Sequence, residues 1–204
     1  MSLVNYATRE ITCKIVYYGP GRSGKTTNLH YIYGQVPEDR KGKMVSLATQ
    51  TDRTLFFDFL PLDLGSISGF TTKFQLYTVP GQVYYQATRK LVLQGADGVV
   101  FVADSQARQL GENIESFQDL HANLSDQGID PRSMPLVVQY NKQDLPPELI
   151  LPAAELSDAI NFRDVPEFSA DALHGPGVFE TLRGISGIVL RRLSTGGSAA
   201  AATK

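Results

Sequence analysis

Residues 19–26 read Gly-Pro-Gly-Arg-Ser-Gly-Lys-Thr and directly follow the β-branched, aromatic run of residues 11–18. The spacing G-x-x-x-x-G-K-[ST], between a buried strand and a helix, is typical of a phosphate-binding loop. Its glycines let consecutive backbone N–H groups curl around an oxyanion, and the helix N-terminus adds partial positive charge. Lys25 is expected to reach the β- and γ-phosphates, and the Thr26 hydroxyl to bind Mg²⁺. The stretch predicts a nucleoside-triphosphate site; the alternative is a glycine turn that merely closes a βα unit.

Length, charge and cysteine content narrow the class of protein. The chain has 204 residues, enough for one domain with a tail, and a net charge of −2 with no basic stripe, so we expect no nucleic-acid partner. The single Cys13 lies in the first predicted strand, which makes a reducing cytoplasm the default location. No apolar run is long enough to cross a membrane, no cysteine ends the chain, and Ser2 replaces a myristoylated glycine. We therefore expect no direct lipid anchor, and any recruitment to a cell pole would come through partners.

Strand-like runs alternate with helix-like stretches, which predicts an α/β fold with a mostly parallel sheet and helices on both faces. The predicted strands are 11–18, 55–60, 70–79, 98–103, 135–140 and 165–169, and the predicted helices are 26–33, 110–124 and 178–193. The segment 65–69 is long enough for a hairpin, so the second and third strands are expected to be antiparallel. Residues 1–194 form the predicted domain, and the small residues 195–204 form a flexible tail.

A second motif, Asn141-Lys142-Gln143-Asp144, follows the predicted strand 135–140. The Asp144 carboxylate only accepts hydrogen bonds, so it suits the N1–H and N2–H₂ donors of guanine, whereas adenine offers no donor at that edge. Asn141 is expected to brace the loop near the base N7, and the Lys142 stem to cover a face of the ring. Ser169-Ala170, after the last strand, is a weaker candidate for a backbone N–H to guanine O6. Together these residues favour guanine as the base.

These motifs resemble those of the small Ras-like GTPases over residues 10–193, and more closely those of the bacterial gliding-motility and polarity GTPases of the MglA family. The segments that carry the closer likeness are 17–21, 54–61 and 77–82. The resemblance implies a six-stranded Ras-like sheet, GTP and GDP bound with Mg²⁺, and two switch loops beside the γ-phosphate. It also implies a roadblock-type GTPase-activating partner, and effector proteins that bind the switch regions and place machinery at a cell pole.

The resemblance also implies roles for residues of the two switch loops. Thr54 matches the first-switch threonine that senses the γ-phosphate and Mg²⁺, and Gly81 and Gln82 match the second-switch glycine and the glutamine that positions the attacking water. Arg53 matches an arginine finger supplied in cis. The alternatives are an ordinary threonine at the start of a strand, a surface glutamine and a solvent-facing arginine.

Thr78 stands where most Ras-like proteins carry the aspartate of D-x-x-G, and a hydroxyl cannot supply the same charge toward a metal-bound water. The metal would then rest on Thr26, Thr54, phosphate oxygens and waters, with Asp58 in the outer shell. Gly21 lies where a side chain would crowd Gln82; the alternative is that it only meets a need for positive φ.

The sequence thus predicts a GTP-hydrolysing switch with slow intrinsic hydrolysis that an activating partner accelerates. Two alternatives stay open: a GTP-binding regulatory module with little useful hydrolysis, and a phosphotransferase acting on a small metabolite, for which we find no arginine-rich lid. The predicted catalytic residues are Arg53 and Gln82, and the predicted metal ligands are Thr26 and Thr54. The predicted nucleotide-binding residues are Gly19, Gly21, Arg22, Ser23, Gly24, Lys25, Thr26, Thr27, Thr54, Gly81, Asn141, Lys142, Asp144, Ser169 and Ala170.

Overall fold

One mixed sheet carries all the strands of the computed structural model, which describes residues 3–48, 56–67, 69–82 and 85–201. The strands are β1 (Leu3–Asn5), β2 (Glu10–Tyr18), β3 (Val45–Ala48), β4 (Phe56–Ile67), β5 (Phe70–Thr78), β6 (Gly98–Asp104), β7 (Leu136–Asn141) and β8 (Glu167–Ser169). The α-helices are α1 (Lys25–Gln35), α2 (Gln86–Leu93), α3 (Leu110–Asp126), α4 (Ala153–Ile160) and α5 (Val178–Ala201).

The sheet order is β3-β4-β5-β2-β6-β7-β8, with β1 paired to β2. Strands β5, β2, β6, β7 and β8 are parallel, whereas β3, β4 and β5 form antiparallel pairs, as does β1 with β2. The predicted mostly parallel α/β fold and the predicted antiparallel hairpin are therefore confirmed. Because the parallel strands all end at one edge, the loops that follow β2, β5, β6, β7 and β8 meet there.

Helices cover both faces of this sheet, as predicted. Helices α1 and α5 pack on one face through residues such as Leu29 and Ile185, while α2, α3 and α4 pack on the other around Phe101 and Phe117. Every residue of β6 and β7 is buried. Burial on both faces explains why these two strands read as continuous apolar runs.

The expectation of six strands is wrong, since the described part of the chain has eight. The two additional strands, β1 and β3, have three and four residues and are too short to show an alternating pattern. The sequence patterns also miss helices α2 and α4, which have eight residues each and, unlike α1, follow no motif that marks a helix start.

Helix α5 extends to Ala201, beyond its predicted end at Leu193. The alanines at 199–201 have the highest helix propensity, so the backbone continues past Gly196 and Gly197. The predicted boundary after residue 194 thus falls inside a helix, and the flexibility of residues 195–204 stays a prediction. Among the described residues, no helix has both the length and the apolar character needed to cross a bilayer.

Candidate nucleotide-binding site

Two adjacent cavities open at the edge where the parallel strands end. The first, of about 350 Å³, is lined by the phosphate loop and by residues of β3, β4 and β5. The second, of about 320 Å³, is lined by Asn141, Lys142 and Asp144 together with residues of the loop that follows β8. Arg22, Gly24 and Thr27 line both cavities. The two predicted motifs therefore lie side by side in space, although more than a hundred residues separate them in sequence.

The phosphate loop has a backbone that only glycine can adopt at two points. Gly19 has φ 142° and Gly24 has φ 98°. A Cβ on Gly19 would lie 2.2 Å from the carbonyl oxygen of Val102, and one on Gly24 would lie 2.1 Å from Nδ2 of Asn141. No side chain caps the start of α1, so its first N–H groups stay available to a ligand. The loop thus has the shape and polarity of an anion site.

Lys25 lies inside this loop with its side chain buried. Its Nζ donates to the carbonyl oxygens of Gly19, at 3.0 Å, and Pro20, at 2.5 Å. Burial, and to a smaller extent the charge of Arg89, lowers the pKa of Lys25 to about 7, while the charge of Asp58 opposes the shift. A bound phosphate would supply the negative charge that a buried ammonium group lacks here.

A buried carboxylate lies at the phosphate end of the cleft. Oδ2 of Asp58, on β4, accepts hydrogen bonds from the Thr26 hydroxyl at 2.6 Å and the Thr78 hydroxyl at 2.9 Å. Its Oδ1 accepts from the Ser46 hydroxyl at 2.7 Å. The charge that Thr78 lacks at the end of β5 is therefore present on the neighbouring strand, beside Thr26. Hydroxyl and carboxylate oxygens are the ligands that Mg²⁺ prefers, so this set fits a magnesium ion.

Two glycines bring the segment that holds Gly81 and Gln82, the predicted second-switch segment, against the phosphate loop. A Cβ on Gly81 would lie 2.3 Å from Cα of Gly21, so the two backbones are in contact. Gly21 is not among the residues with positive φ, so the alternative that it only meets a need for positive φ is wrong. A Cβ on Gly21 would lie 4.0 Å from Cγ of Gln82. A larger side chain at position 21 would therefore enter the space between the loop and Gln82.

Asn141 connects the phosphate loop to the loop that follows β8. Its Nδ2 donates to the carbonyl oxygen of Ser23 at 2.7 Å, and its Oδ1 accepts from the N–H of Ala172 at 2.9 Å. Lys142 has a φ of 72°, and its Nζ binds Oδ2 of the buried Asp104 at 2.6 Å. Asp104, to which sequence patterns assigned no role, thus fixes the lysine stem beside the exposed Asp144.

The prediction for Ser169 and Ala170 needs correction. The N–H of Ala170 donates to the carbonyl oxygen of Tyr140 at 2.8 Å, continuing the pairing of β8 with β7, and so is not free for a base. Ala172 and Leu173, two residues further along, line the base-side cavity instead. The chain turns at Asp171, whose carboxylate accepts the N–H of Leu173 at 3.0 Å. An aspartate often caps a turn through its own side chain, and this signal would have pointed to the residues after Asp171 as the base-side residues.

Other residues of the site were either missed or lie outside the described residues. Ser46 and Phe57 line the phosphate-side cavity and were not predicted. Ser23, which was predicted, has a buried hydroxyl without a hydrogen-bond partner among the described residues. Arg53 and Thr54 lie outside the described residues, so their roles stay predictions.

Comparisons with known proteins agree with this geometry. The model of the ADP-ribosylation factor family matches residues 2–186. The chain is 57% identical over 197 residues to the mutual gliding-motility protein MglA of Myxococcus xanthus, covering 97% of this chain and 100% of that protein. It is 25% identical over 187 residues to ADP-ribosylation factor-like protein 6 of Caenorhabditis briggsae, covering 89% of this chain and 88% of that protein.

The matched range includes the phosphate loop, the Asp58 cluster and the base-side loop, and the MglA match extends across nearly the whole chain. A protein of this family is a small GTP-binding switch. The chain therefore belongs to the ADP-ribosylation factor family of Ras-like GTPases and is of the MglA type.

Proposed function

We propose that this protein hydrolyses GTP to GDP and that the alternation between the two bound states controls gliding motility or cell polarity through effector proteins. The observation that carries the proposal is the direct bridge from the phosphate loop to the base-side loop, in which Asn141 binds both Ser23 and Ala172. To bind a nucleotide, the phosphate loop and the base-side loop must lie at a fixed separation. The buried amide side chain of Asn141 fixes that separation. The relative MglA is named for mutual gliding motility, which supports the biological part of the proposal.

Guanine is the proposed base because Asp144 offers only acceptor oxygens. Lys142, held by Asp104, covers one face of the ring, and Leu173 lies where it would cover part of the base. The backbone N–H groups of the phosphate loop and the Lys25 ammonium group bind the phosphates. ATP carries the same phosphates, but adenine offers no donor to the Asp144 carboxylate. That carboxylate would stay unpaired in the complex, which makes ATP a poor ligand.

Magnesium is the proposed metal, bound by the Thr26 and Thr54 hydroxyls together with the phosphates. When bound, it offsets the negative charge of the triphosphate. Asp58 is proposed to orient the metal's bound water from the outer shell, in place of the aspartate that Thr78 replaces. Its hydrogen bond from Thr26, at 2.6 Å, places the carboxylate beside a proposed metal ligand.

Hydrolysis is proposed to be slow in the isolated protein and to be accelerated by a roadblock-type activator. Gln82 orients the attacking water, and Arg53 stabilises the charge that develops on the phosphate oxygens. Gly21 lies close to Gln82 and has no side chain, so the space between the phosphate loop and the glutamine stays open. This supports the proposed role of Gln82 in orienting water.

One observation favours a second candidate function, a GTP-binding module with little hydrolysis. Thr78 carries no charge, and its hydroxyl donates to Asp58 rather than facing solvent. If Asp58 does not compensate, the metal site is too weak to support turnover, and the protein would stay loaded with GTP.

Nucleotide exchange tests the binding part of the proposal. Dissociation of labelled GDP, GTP and ATP is measured with and without Mg²⁺. The expected result is tight binding of both guanine nucleotides, no measurable binding of ATP, and faster dissociation without Mg²⁺. Equal retention of ATP and GTP would contradict guanine recognition, and rates independent of Mg²⁺ would contradict the metal site.

Single-turnover hydrolysis separates the two candidate functions. The GTP-loaded protein is followed with and without a roadblock-fold protein from the same organism. A switch shows stimulated hydrolysis that Arg53→Ala abolishes and that Arg40→Ala, at an exposed arginine, leaves unchanged. A protein that stays GTP-loaded at excess activator would support the binding module instead. Fluorescence microscopy of a tagged chain then tests the proposed recruitment from the cytoplasm to a cell pole.

A further inference from the structure

Gln139 is a fully buried polar residue in the middle of β7, a strand that is otherwise apolar up to Tyr140. Burying an amide without hydrogen bonds is costly, so its partners decide why it can lie there. Its Oε1 accepts from Nδ2 of Asn28 at 2.9 Å. Its Nε2 donates to Oδ1 of Asn28 at 3.0 Å and to Oγ1 of Thr181 at 2.9 Å. Both N–H groups of this amide donate, and its oxygen accepts one hydrogen bond.

Asn28 connects this amide to the phosphate loop. It is fully buried on the first turn of α1, and its Nδ2 also donates to the carbonyl oxygen of Gly24 at 2.9 Å. Gly24 is the residue from which α1 begins, and it lines both cavities. The loop is therefore tied to the buried strand β7 by a side chain that does not itself line either cavity.

Thr181 makes the corresponding connection to the base-side loop. It is fully buried on the first turn of α5, and its hydroxyl donates to the carbonyl oxygen of Gly177 at 2.7 Å. Gly177 ends the loop that begins after β8, and it packs so closely that a Cβ there would lie 2.0 Å from the carbonyl oxygen of Ser169. The hydroxyl thus holds the end of the loop that carries Ala172 and Leu173.

The three side chains form one closed network between the two halves of the cleft. Each donates and accepts, and together they also satisfy one backbone carbonyl on each side. A satisfied buried network is rigid, because removing one side chain leaves a polar side-chain partner unpaired in a low-dielectric interior. The carbonyl oxygens of Gly24 and Gly177 also accept the backbone N–H groups of Asn28 and Thr181, each at 3.0 Å. The network contains no residue of β3, β4, β5 or α2, so it is separate from the proposed switch segments.

We infer that Asn28, Gln139 and Thr181 are positioning residues that set the separation between the phosphate loop and the base-side loop, and thereby set how long a guanine nucleotide stays bound. The inference rests on the proposed function for the identity of the nucleotide. Because the network includes no switch residue, it affects GDP and GTP equally. It acts alongside Asn141, two residues further along the same strand, which contacts both loops directly.

Thr181→Val tests the network with little change of volume, and Gln139→Met removes the amide while keeping an unbranched chain. Dissociation of fluorescent GDP and of a non-hydrolysable GTP analogue is measured at saturating Mg²⁺. Both variants are expected to release both nucleotides about tenfold faster, the effect of leaving one buried partner unpaired. Thr181→Ser keeps the hydroxyl and is expected to restore the wild-type rates to within about twofold.

Ser186→Ala is the matched control, since Ser186 is also buried on α5 and its hydroxyl has no hydrogen-bond partner among the described residues. Its rates should equal those of the wild type. A purely structural role would lower the melting temperature of Thr181→Val while leaving both rates unchanged, and this would overturn the inference. Acceleration for only one nucleotide would overturn it as well. A wild-type chain that binds no guanine nucleotide would overturn both the proposed function and this inference. A wild-type chain that binds GDP and GTP, with variant rates that do not change, would overturn the inference alone.

Discussion

The two ends of the cleft are built in different ways. The base end is fixed by amide and lysine side chains on or beside β7, a strand buried on both faces, and each makes hydrogen bonds to backbone or buried groups. The phosphate end beyond the loop depends on hydroxyls gathered around Asp58, on a hairpin next to the edge strand β3. Amide groups on β7, which is buried along its whole length, hold one geometry, whereas hydroxyls rotate and the residues on either side of Asp58 on β4 are only half-buried. The difference suits the proposed roles, in which one end selects the base and the other responds to the γ-phosphate.

The strongest test of the base end is Asp144→Asn. The amide would place an N–H₂ donor against the donors of guanine, so affinity for GDP is expected to fall by about 1,000-fold. Xanthosine diphosphate, which has an acceptor at that edge, should bind the variant better than GDP does. Competition binding measures both, with Asp158→Asn on α4 as a control at an exposed aspartate. An unchanged preference for GDP would show that this end of the cleft does not read the base.

Gly21→Val tests the contact between the phosphate loop and the second-switch segment. Its methyl groups would enter the space toward Gln82, so stimulated hydrolysis is expected to fall by about 100-fold, while GDP affinity stays within about threefold. Single-turnover hydrolysis and nucleotide binding are measured together. Gly34→Val is the control, since a Cβ at that position of α1 would meet nothing within 4 Å. Equal loss of affinity and of hydrolysis would mean that the loop itself is distorted.

Asp58→Asn tests the centre of the hydroxyl cluster. Loss of the negative charge beside Thr26 is expected to raise the Mg²⁺ concentration needed to retain GDP by about 30-fold. The guanine-over-adenine preference should not change, because the base end makes no contact with this cluster among the described residues. Asp63→Asn, on the same strand β4, is the control. If the variant keeps the wild-type Mg²⁺ dependence, Asp58 does not contribute to the proposed metal site.

A smaller effect is expected for Leu173→Ala at the base end. Leu173 lines the base-side cavity and is 65% exposed without a ligand, so it has apolar surface available to cover the base. Losing that contact is expected to weaken GDP binding by about fivefold, or ~1 kcal/mol. Leu149→Ala, at a leucine that is 52% exposed and does not line that cavity, should bind GDP like the wild type. Equal affinities for both variants would mean that the base contact is made by polar groups alone.

Removal of residues 195–204 is expected to change least. Residues 195–201 form the last turns of α5, at the opposite end of the helix from the base-side loop, so stability should change by less than about 0.5 kcal/mol and GDP affinity should be unchanged. Thermal unfolding and GDP binding check this. A clear loss of stability would show that the folded domain includes the last residues of α5.

Much of the base end and the phosphate loop could be predicted because their motifs are short and local. The loop at 19–26 has positive φ at Gly19 and Gly24, where a Cβ would also clash, and the guanine motif lies at the end of a strand that apolar residues mark plainly. The same approach predicted Ser169 and Ala170 at the base, two residues too early. It did not take into account the turn at Asp171, after which Ala172 and Leu173 line the cavity. Strand count failed for a similar reason, since β1 and β3 are too short to leave a pattern.

The sequence by itself therefore determined the α/β fold, the phosphate loop and the guanine motif, because each depends on neighbouring residues. Only the tertiary structure placed Asp58 against Thr26 and Thr78, and Gln139 against Asn28. The first pairing depends on the register of β4 on β5, where Phe59 lies opposite Tyr77, and a shift of one residue would turn Asp58 to the other face. The second joins residues 111 positions apart, and only a folded core brings such groups within hydrogen-bond distance.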